Sequence, residues 1–203
     1  MQPSSVYFDF LCPYAWRGLE LVSQLGVRPQ LKHFSLVQGN HAQNPDRKNP
    51  VWKLAAQPLT EGPDSQQASL RSFLAAQAAR LQGNEAELQF TLQLLRLRHD
   101  GRRDLNDPQT AREAANQAGL DTGRFETDLA DEASLRESLA RDLNDAAQLG
   151  VFGTPTFVLP DGQAAYLRFS QLPADESAAR RLWDTYVTVL TSDANIETIK
   201  RPR

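Results

Sequence analysis

The stretch Val6-Tyr7-Phe8-Asp9-Phe10-Leu11-Cys12-Pro13-Tyr14-Ala15-Trp16 runs from an apolar segment through a cysteine–proline pair into helical spacing. The near-continuous hydrophobicity of Val6 to Leu11 predicts a buried strand. Pro13 suits the first position of a helix, where a missing N–H costs nothing. Trp16, Leu19, Val22 and Leu25 then recur at helical spacing, and Gly26 stops the helix. Leu31 to Leu36 is a second strand candidate, so this end reads strand–helix–strand, a unit that implies parallel pairing.

Cys12 is the one cysteine in 203 residues. An intrachain disulfide and a cysteine-built zinc or iron–sulfur site are therefore excluded. A helix N-terminus favours a thiolate through its unsatisfied N–H groups and dipole, so the strand–helix junction is a place for a reactive sulfur. The bland alternative is a small buried hydrophobe.

Moving outward, positions 52 to 150 contain neither Val nor Ile and are rich in Ala, Leu, Gln, Glu and Arg. Such residues favour helix, whereas β-branched residues favour strand. The middle is therefore predicted to be helical, and any sheet must be assembled from the two ends. The expected organisation is an α/β domain in two parts, residues 1–40 and 150–203, interrupted by an all-helical insertion, 41–149. Within the insertion, Leu70, Phe73, Leu74 and Leu81 mark one helix. The stripes Leu88, Leu92, Leu95 and Phe90, Leu94, Leu97 mark a second, buried on more than one side. Asn84 with Glu87 fits a capping box. Asp107-Pro108 fits an N-cap with a first-turn proline, and Gly119 a helix stop. Leu135, Leu139 and Leu143 mark the last insertion helix. The polar stretch from Gln38 to Pro50 is expected to be the loop leaving the sheet.

At the other end, Thr156 to Leu159 is a strand candidate. Pro160-Asp161-Gly162 is a turn, and Gln163 to Phe169 its return strand. A final helix carries Ala179, Leu182, Trp183, Tyr186, Val187 and Leu190 on one face. Pro155 opens the strand, where a proline is tolerated. On this segment alone an ordinary trans bond is the expectation.

Other function classes find little support. The net charge is −3, which disfavours a broad nucleic-acid surface. Arg96, Arg98, Arg102 and Arg103 are interleaved with Asp100, Asp104 and Asp107, the pattern of a salt-bridged surface. His33, His41 and His99 lack metal-ligand spacing, so no metal is expected. No apolar run reaches the roughly 18 residues of a bilayer span. Met1 to Ser5 has no signal-peptide character, and a lone cysteine suits a reducing compartment, so a cytoplasmic location is expected.

Taken together, Tyr7 to Trp16, Leu105-Asn106-Asp107-Pro108 with Gly119-Leu120-Asp121, and Gly150-Val151-Phe152-Gly153-Thr154-Pro155-Thr156-Phe157-Val158 resemble the DsbA-like branch of the thioredoxin fold. That branch includes DsbA oxidoreductases, kappa-class glutathione transferases and 2-hydroxychromene-2-carboxylate isomerases. The resemblance implies a thioredoxin-like domain interrupted by the helical insertion, and a cis Thr154-Pro155 bond facing Cys12. It implies that Cys12 meets the sulfur of a ligand whose backbone Thr154 holds, as in strand addition. Pro13 and the helix start would activate Cys12. Tyr14, Ala15, Trp16, Thr154 and Pro155 would line the substrate site, and Asp9 could accept a proton or tune the thiol. Arg17 could meet a ligand carboxylate.

The sequence departs from the redox pattern at Ala15, where the oxidoreductases carry the second cysteine of Cys-x-x-Cys. A mixed disulfide at Cys12 must then be resolved by another molecule, such as a low-molecular-weight thiol. Three readings follow. The first is an oxidoreductase acting through one cysteine with an external resolving thiol. The second is an isomerase or transferase using glutathione or another small thiol. The third is a non-catalytic binding protein that retains the fold. The expected partner is a small thiol or thiol-bearing substrate, with no nucleic acid and no membrane. The final helix and the Leu-rich helix are compatible with a homodimer.

Overall fold

The computed structural model describes residues 1–39 and 53–199. The N-terminal end forms β1 (Ser5–Phe8), α1 (Pro13–Gln24) and β2 (Gln30–His33), followed by a short helix α2 (Leu36–Gly39). Five helices follow a single 3-10 turn at Leu54–Ala56: α3 (Asp64–Arg80), α4 (Asn84–His99), α5 (Pro108–Gln117), α6 (Thr122–Ala130) and α7 (Glu132–Leu149). The chain then returns as β3 (Thr156–Val158) and β4 (Ala164–Tyr166), and its last described element is α8 (Glu176–Leu190).

The four strands form one sheet in the order β2-β1-β3-β4. β1 pairs parallel with β2 and antiparallel with β3, with Val6 opposite Leu31 on one side and Phe157 on the other. The sheet is thus built from the two ends of the chain, as the missing Val and Ile of the middle require. Strand alternation divides its faces. Val6 and Phe8 belong to the main core with α1, α3 and α4, while Tyr7 packs with Phe34, Ala146 and Val151 on the opposite side. On α8, Trp183 and Tyr186 meet Phe157 at ring distances of 5.2 and 5.9 Å.

Helix α3 is buried along most of its length, from Ala68 to Ala79 on every side but Arg71. Its small residues allow the close approach of its neighbours. Between α3, α7 and β2 lies a buried polar knot. Asp142 Oδ2 accepts from His33 Nδ1 and Gln77 Nε2 at 3.0 Å each, and from Arg80 Nη2 at 3.3 Å. Arg80 also pairs with Glu87 at 2.8 Å and donates to the Leu31 carbonyl at 2.6 Å. Burial pushes the His33 imidazole below its ordinary pKa despite the carboxylate beside it.

Several sequence expectations need correction. β1 ends at Phe8 rather than Leu11, because Asp9 turns the chain: its Oδ1 accepts the Leu11 N–H at 3.0 Å and its carbonyl the Cys12 N–H at 3.0 Å. β2 ends at His33 rather than Leu36, where α2 begins. The return strand spans only Ala164–Tyr166, not Gln163 to Phe169. The Asn84–Glu87 capping box does not form. Gly83 is the cap, at φ 115°, and the Glu87 carboxylate turns inward to the stronger partner Arg80. α6 was not anticipated; its cap is Asp121, whose side chain accepts the Arg124 N–H at 2.9 Å. Of the expected Gln38–Pro50 loop, Gln38 and Gly39 are helical, and the remainder, with His41, lies outside the described residues. The Asp107–Pro108 cap, the Gly119 stop at φ 74° and the two buried faces of α4 are as expected.

Candidate active site

Cys12 is the N-cap of α1, 6% exposed, with Pro13 at the first helical position. Its sulfur accepts the Ala15 N–H at 3.4 Å. This is the capping bond that a Ser or Asp side chain makes elsewhere, here given to a thiol. Across the cleft the Thr154-Pro155 bond is cis, and Cys12 Sγ donates to the Thr154 carbonyl at 3.3 Å across 142 positions of sequence. The trans expectation from the segment alone is therefore corrected, and the cis form implied by the resemblance is present. Thr154 is itself 2% exposed, and its Oγ1 has no hydrogen-bond partner. A buried polar atom without a partner is uncommon in a folded protein, and this one belongs to the residue whose carbonyl meets the sulfur.

Ala15, fully buried, puts a methyl group rather than a thiol at the position where a resolving cysteine would stand. Tyr14 is half-buried at the rim. Its hydroxyl accepts from Arg168, whose guanidinium carbon stands 3.9 Å from the ring centroid. Arg17 lies over the same ring at 5.4 Å. Neither arginine has a carboxylate partner among the described residues, in contrast to Arg96, which is held by Glu20 at 2.7 Å. Phe152, 52% exposed, and Tyr166 complete the rim with ring centroids 5.8 Å apart. Burial raises the Tyr166 phenol above its ordinary pKa.

Trp16 is half-buried between α1 and α4. It stacks on His99 at 5.6 Å and donates to Glu20 at 3.1 Å, tying α1 to α4. His99 Nε2 in turn donates to the Phe10 carbonyl at 2.9 Å. Asp9 lies directly before the turn that delivers Cys12, but its carboxylate is committed elsewhere. It accepts from Leu11 N, from Leu36 N at 2.8 Å and from Ser69 Oγ at 3.2 Å. Complete burial pushes its pKa up to about 6, against the lowering effect of those three donors. Asp9 thus fastens the Cys12 turn to the start of α2 and to α3.

The residue that sequence reading missed is Gly18. A Cβ built there would stand 2.5 Å from Pro155 Cγ and 3.3 Å from Phe157 Cζ. One turn and a half after Cys12, the helix touches the proline ring with bare backbone, and this contact sets the sulfur against Thr154. A glycine inside a helix is a signal for such an approach, because it costs roughly 0.5–1 kcal/mol relative to Ala. Arg168 had no local signal, since only the β3–β4 register brings it to Tyr14.

Among the described residues no group of three His, Cys, Asp or Glu side chains could hold a metal ion, and no helix is long and apolar enough to cross a membrane. Residues 5–173 match the family described as a DSBA-like thioredoxin domain. No curated protein matches the sequence. Among solved structures, the cytosolic disulfide reductase DsbM from Pseudomonas aeruginosa is similar at a TM-score of 0.58 and 18% identity, over 90% of this chain and 97% of that one. The same protein solved with GSH gives 0.57 and 19%, over 90% and 98%. A 2-hydroxychromene-2-carboxylate isomerase gives 0.58 and 16%, over 96% and 98%. With a matched profile spanning most of its length, a Cys-Pro helix start and the sheet order described above, the chain belongs to the DSBA-like thioredoxin family.

Proposed function

We propose that the protein is a thiol–disulfide oxidoreductase that works through Cys12 alone, with a small anionic thiol as resolving partner. The observation that carries this reading is the sulfur at the N-terminus of α1, bonded to Ala15 N and set against Thr154. The Cys12 thiolate attacks a disulfide R–S–S–R′, forming Cys12–S–S–R and releasing R′–S⁻. A second thiolate R″–S⁻ attacks the R sulfur, regenerating Cys12–S⁻ and releasing R–S–S–R″. The substrate disulfide releases one thiolate, R′–S⁻, and the external thiol R″–S⁻ is the reductant, ending oxidised in R–S–S–R″.

Ala15 stands where a second cysteine would, and Cys12 is the one thiol of the chain, so the second thiol must be external. The guanidinium groups of Arg17 and Arg168, which have no carboxylate partner among the described residues, favour a resolving thiol that bears carboxylates. Thr154, with its free Oγ1, would hold the ligand beside the sulfur, and Pro155 would form the floor against Gly18. Glutathione has this chemistry, and DsbM has been solved with GSH.

The experiment is intact-mass analysis after exposure to glutathione disulfide. One glutathionyl unit is expected on the wild type within minutes, removed by excess glutathione, and none on Cys12→Ser. A wild type that stays unmodified, or an adduct that excess thiol does not release, overturns the proposal. A second reading, thiol-cofactor isomerase, draws on the equal likeness to the isomerase structure. It predicts that Cys12→Ser keeps most of the activity, because the side-chain oxygen can make the same cap.

A further inference from the structure

The insertion contains a cavity of about 260 Å³ whose walls come from α3, α4, α5, α6, the start of α7 and the connecting residues Leu59, Leu105 and Asp107, with none of the residues around Cys12. Leu74, Leu94, Leu105, Phe125 and Leu129 make most of its surface apolar. An apolar cavity of roughly 150 Å³ is already large enough to take up benzene, so this one has room for a substituted ring or a short acyl chain.

Its polar groups are not balanced. Glu126 is paired with Arg112 at 2.9 Å, Glu132 with Arg136 at 2.8 Å, and the Asp107 side chain caps α5 by accepting from Gln109 N. Two neighbours on α3 remain. Ser72, 2% exposed, has an Oγ without a hydrogen-bond partner, and so does the buried Nε of Arg71. Arg71 spends one N–H on the Leu59 carbonyl at 3.3 Å and has no carboxylate partner among the described residues. Leaving a buried donor unmatched costs about 1–3 kcal/mol, more when the group is charged.

We infer that this cavity is a second ligand site and that it takes a small amphipathic monocarboxylate. Nε–H and the hydroxyl are donors, so the head group must accept. A single unpaired guanidinium calls for an anion, which it binds through charge-assisted hydrogen bonds. Asp107, Glu126 and Glu132 in the wall disfavour a dianion such as a phosphate monoester. The apolar remainder of the cavity takes the tail. The site is independent of the thiol chemistry proposed above.

The test uses octanoate and 1-octanol, which share a tail and differ in the head, titrated into the full chain by calorimetry and by methyl NMR. Octanoate is expected to bind one site, shift the methyls of Leu74, Leu94 and Leu129, and exceed 1-octanol by about tenfold, or ~1.4 kcal/mol. Arg71→Gln should remove that tenfold advantage while leaving 1-octanol binding unchanged. Ala111→Phe, which fills the cavity from α5, should abolish both. Equal affinity for the two probes overturns the inference. So does an absence of saturable binding in the wild type, or shifts confined to the surroundings of Cys12. The wild-type comparison and the NMR map decide the question even where a variant does not fold.

Discussion

Gly18 and Pro155 meet so closely that a single added methyl on Gly18 would stand 2.5 Å from Pro155 Cγ. The proline ring is rigid, and the same methyl would also stand 3.3 Å from Phe157 Cζ, so the clash cannot be relieved cheaply. Gly18→Ala is expected to destabilise the protein by about 1–3 kcal/mol, the range for overpacking a tight interior. It should also slow glutathionylation of Cys12 by separating α1 from Thr154. Gly123→Ala is the control. Gly123 lies in α6 with only a 3.5 Å neighbour, so the same change there should stabilise by roughly 0.5–1 kcal/mol. Denaturant midpoints of the two variants check the pair, and equal effects would refute the packing argument.

The buried acid Asp9 gives stability a defined pH dependence. Its pKa rises from 3.8 unfolded to about 6 folded, so the folded state holds the proton more tightly. Its contribution is therefore fully present below about pH 4 and is lost as pH rises through 6. About two units correspond to ~3 kcal/mol. Asp9→Asn removes the titration and adds only a constant offset. Unfolding free energies measured from pH 4 to 7 should show the wild type falling relative to Asp9→Asn, and a flat difference would count against a raised pKa.

Arg80 is the one cation shared by Asp142 and Glu87 in the knot between α3, α4 and α7. Arg80→Met leaves two buried acids without it and should cost about 3–5 kcal/mol. The triple change Arg80→Met, Asp142→Asn, Glu87→Gln should recover much of that loss, because no uncompensated charge remains. Thermal unfolding of both variants reads this directly.

The guanidinium groups at the thiol site act on charge. Arg168→Gln should raise the glutathione disulfide concentration needed for half-maximal modification several-fold, the modest scale of an exposed ion pair. The neutral bis(2-hydroxyethyl) disulfide should react with both proteins at the same rate. High salt should shrink the difference for glutathione disulfide. Equal sensitivity to both disulfides would remove Arg168 from ligand recognition.

What the sequence disclosed and what it hid follow from the range of each interaction. The Val- and Ile-free middle and the two β-rich ends announced a sheet made from distant segments, because propensity is a local property summed over many residues. The Cys12–Pro13 cap and the Asp107–Pro108 cap were legible for the same reason. The limits of β1 and β2 were not, since Asp9 ends the first strand through bonds to Leu36 and Ser69 that only the folded chain makes. Glu87 satisfied a local capping pattern and was taken by Arg80 instead. In the site, Cys12 and Thr154 were visible as motifs, while Gly18 and Arg168 acquired meaning only through contacts with Pro155 and Tyr14.

The bond between Cys12 and Thr154 spans 142 positions, and β1 likewise waits for β3 to complete its second edge. On a ribosome working at ~5–20 residues per second, the sulfur emerges roughly 7–28 s before the segment that covers it. During that interval β1 and α1 can pair with β2, but the thiol has no opposite wall. A nascent chain therefore carries an open, unsheltered cysteine, available to the same small disulfides that the finished protein would meet through a formed cleft. Modification at that stage would place a bulky group where Thr154 and Pro155 must later dock, making the redox state of the surroundings a condition for completing the fold.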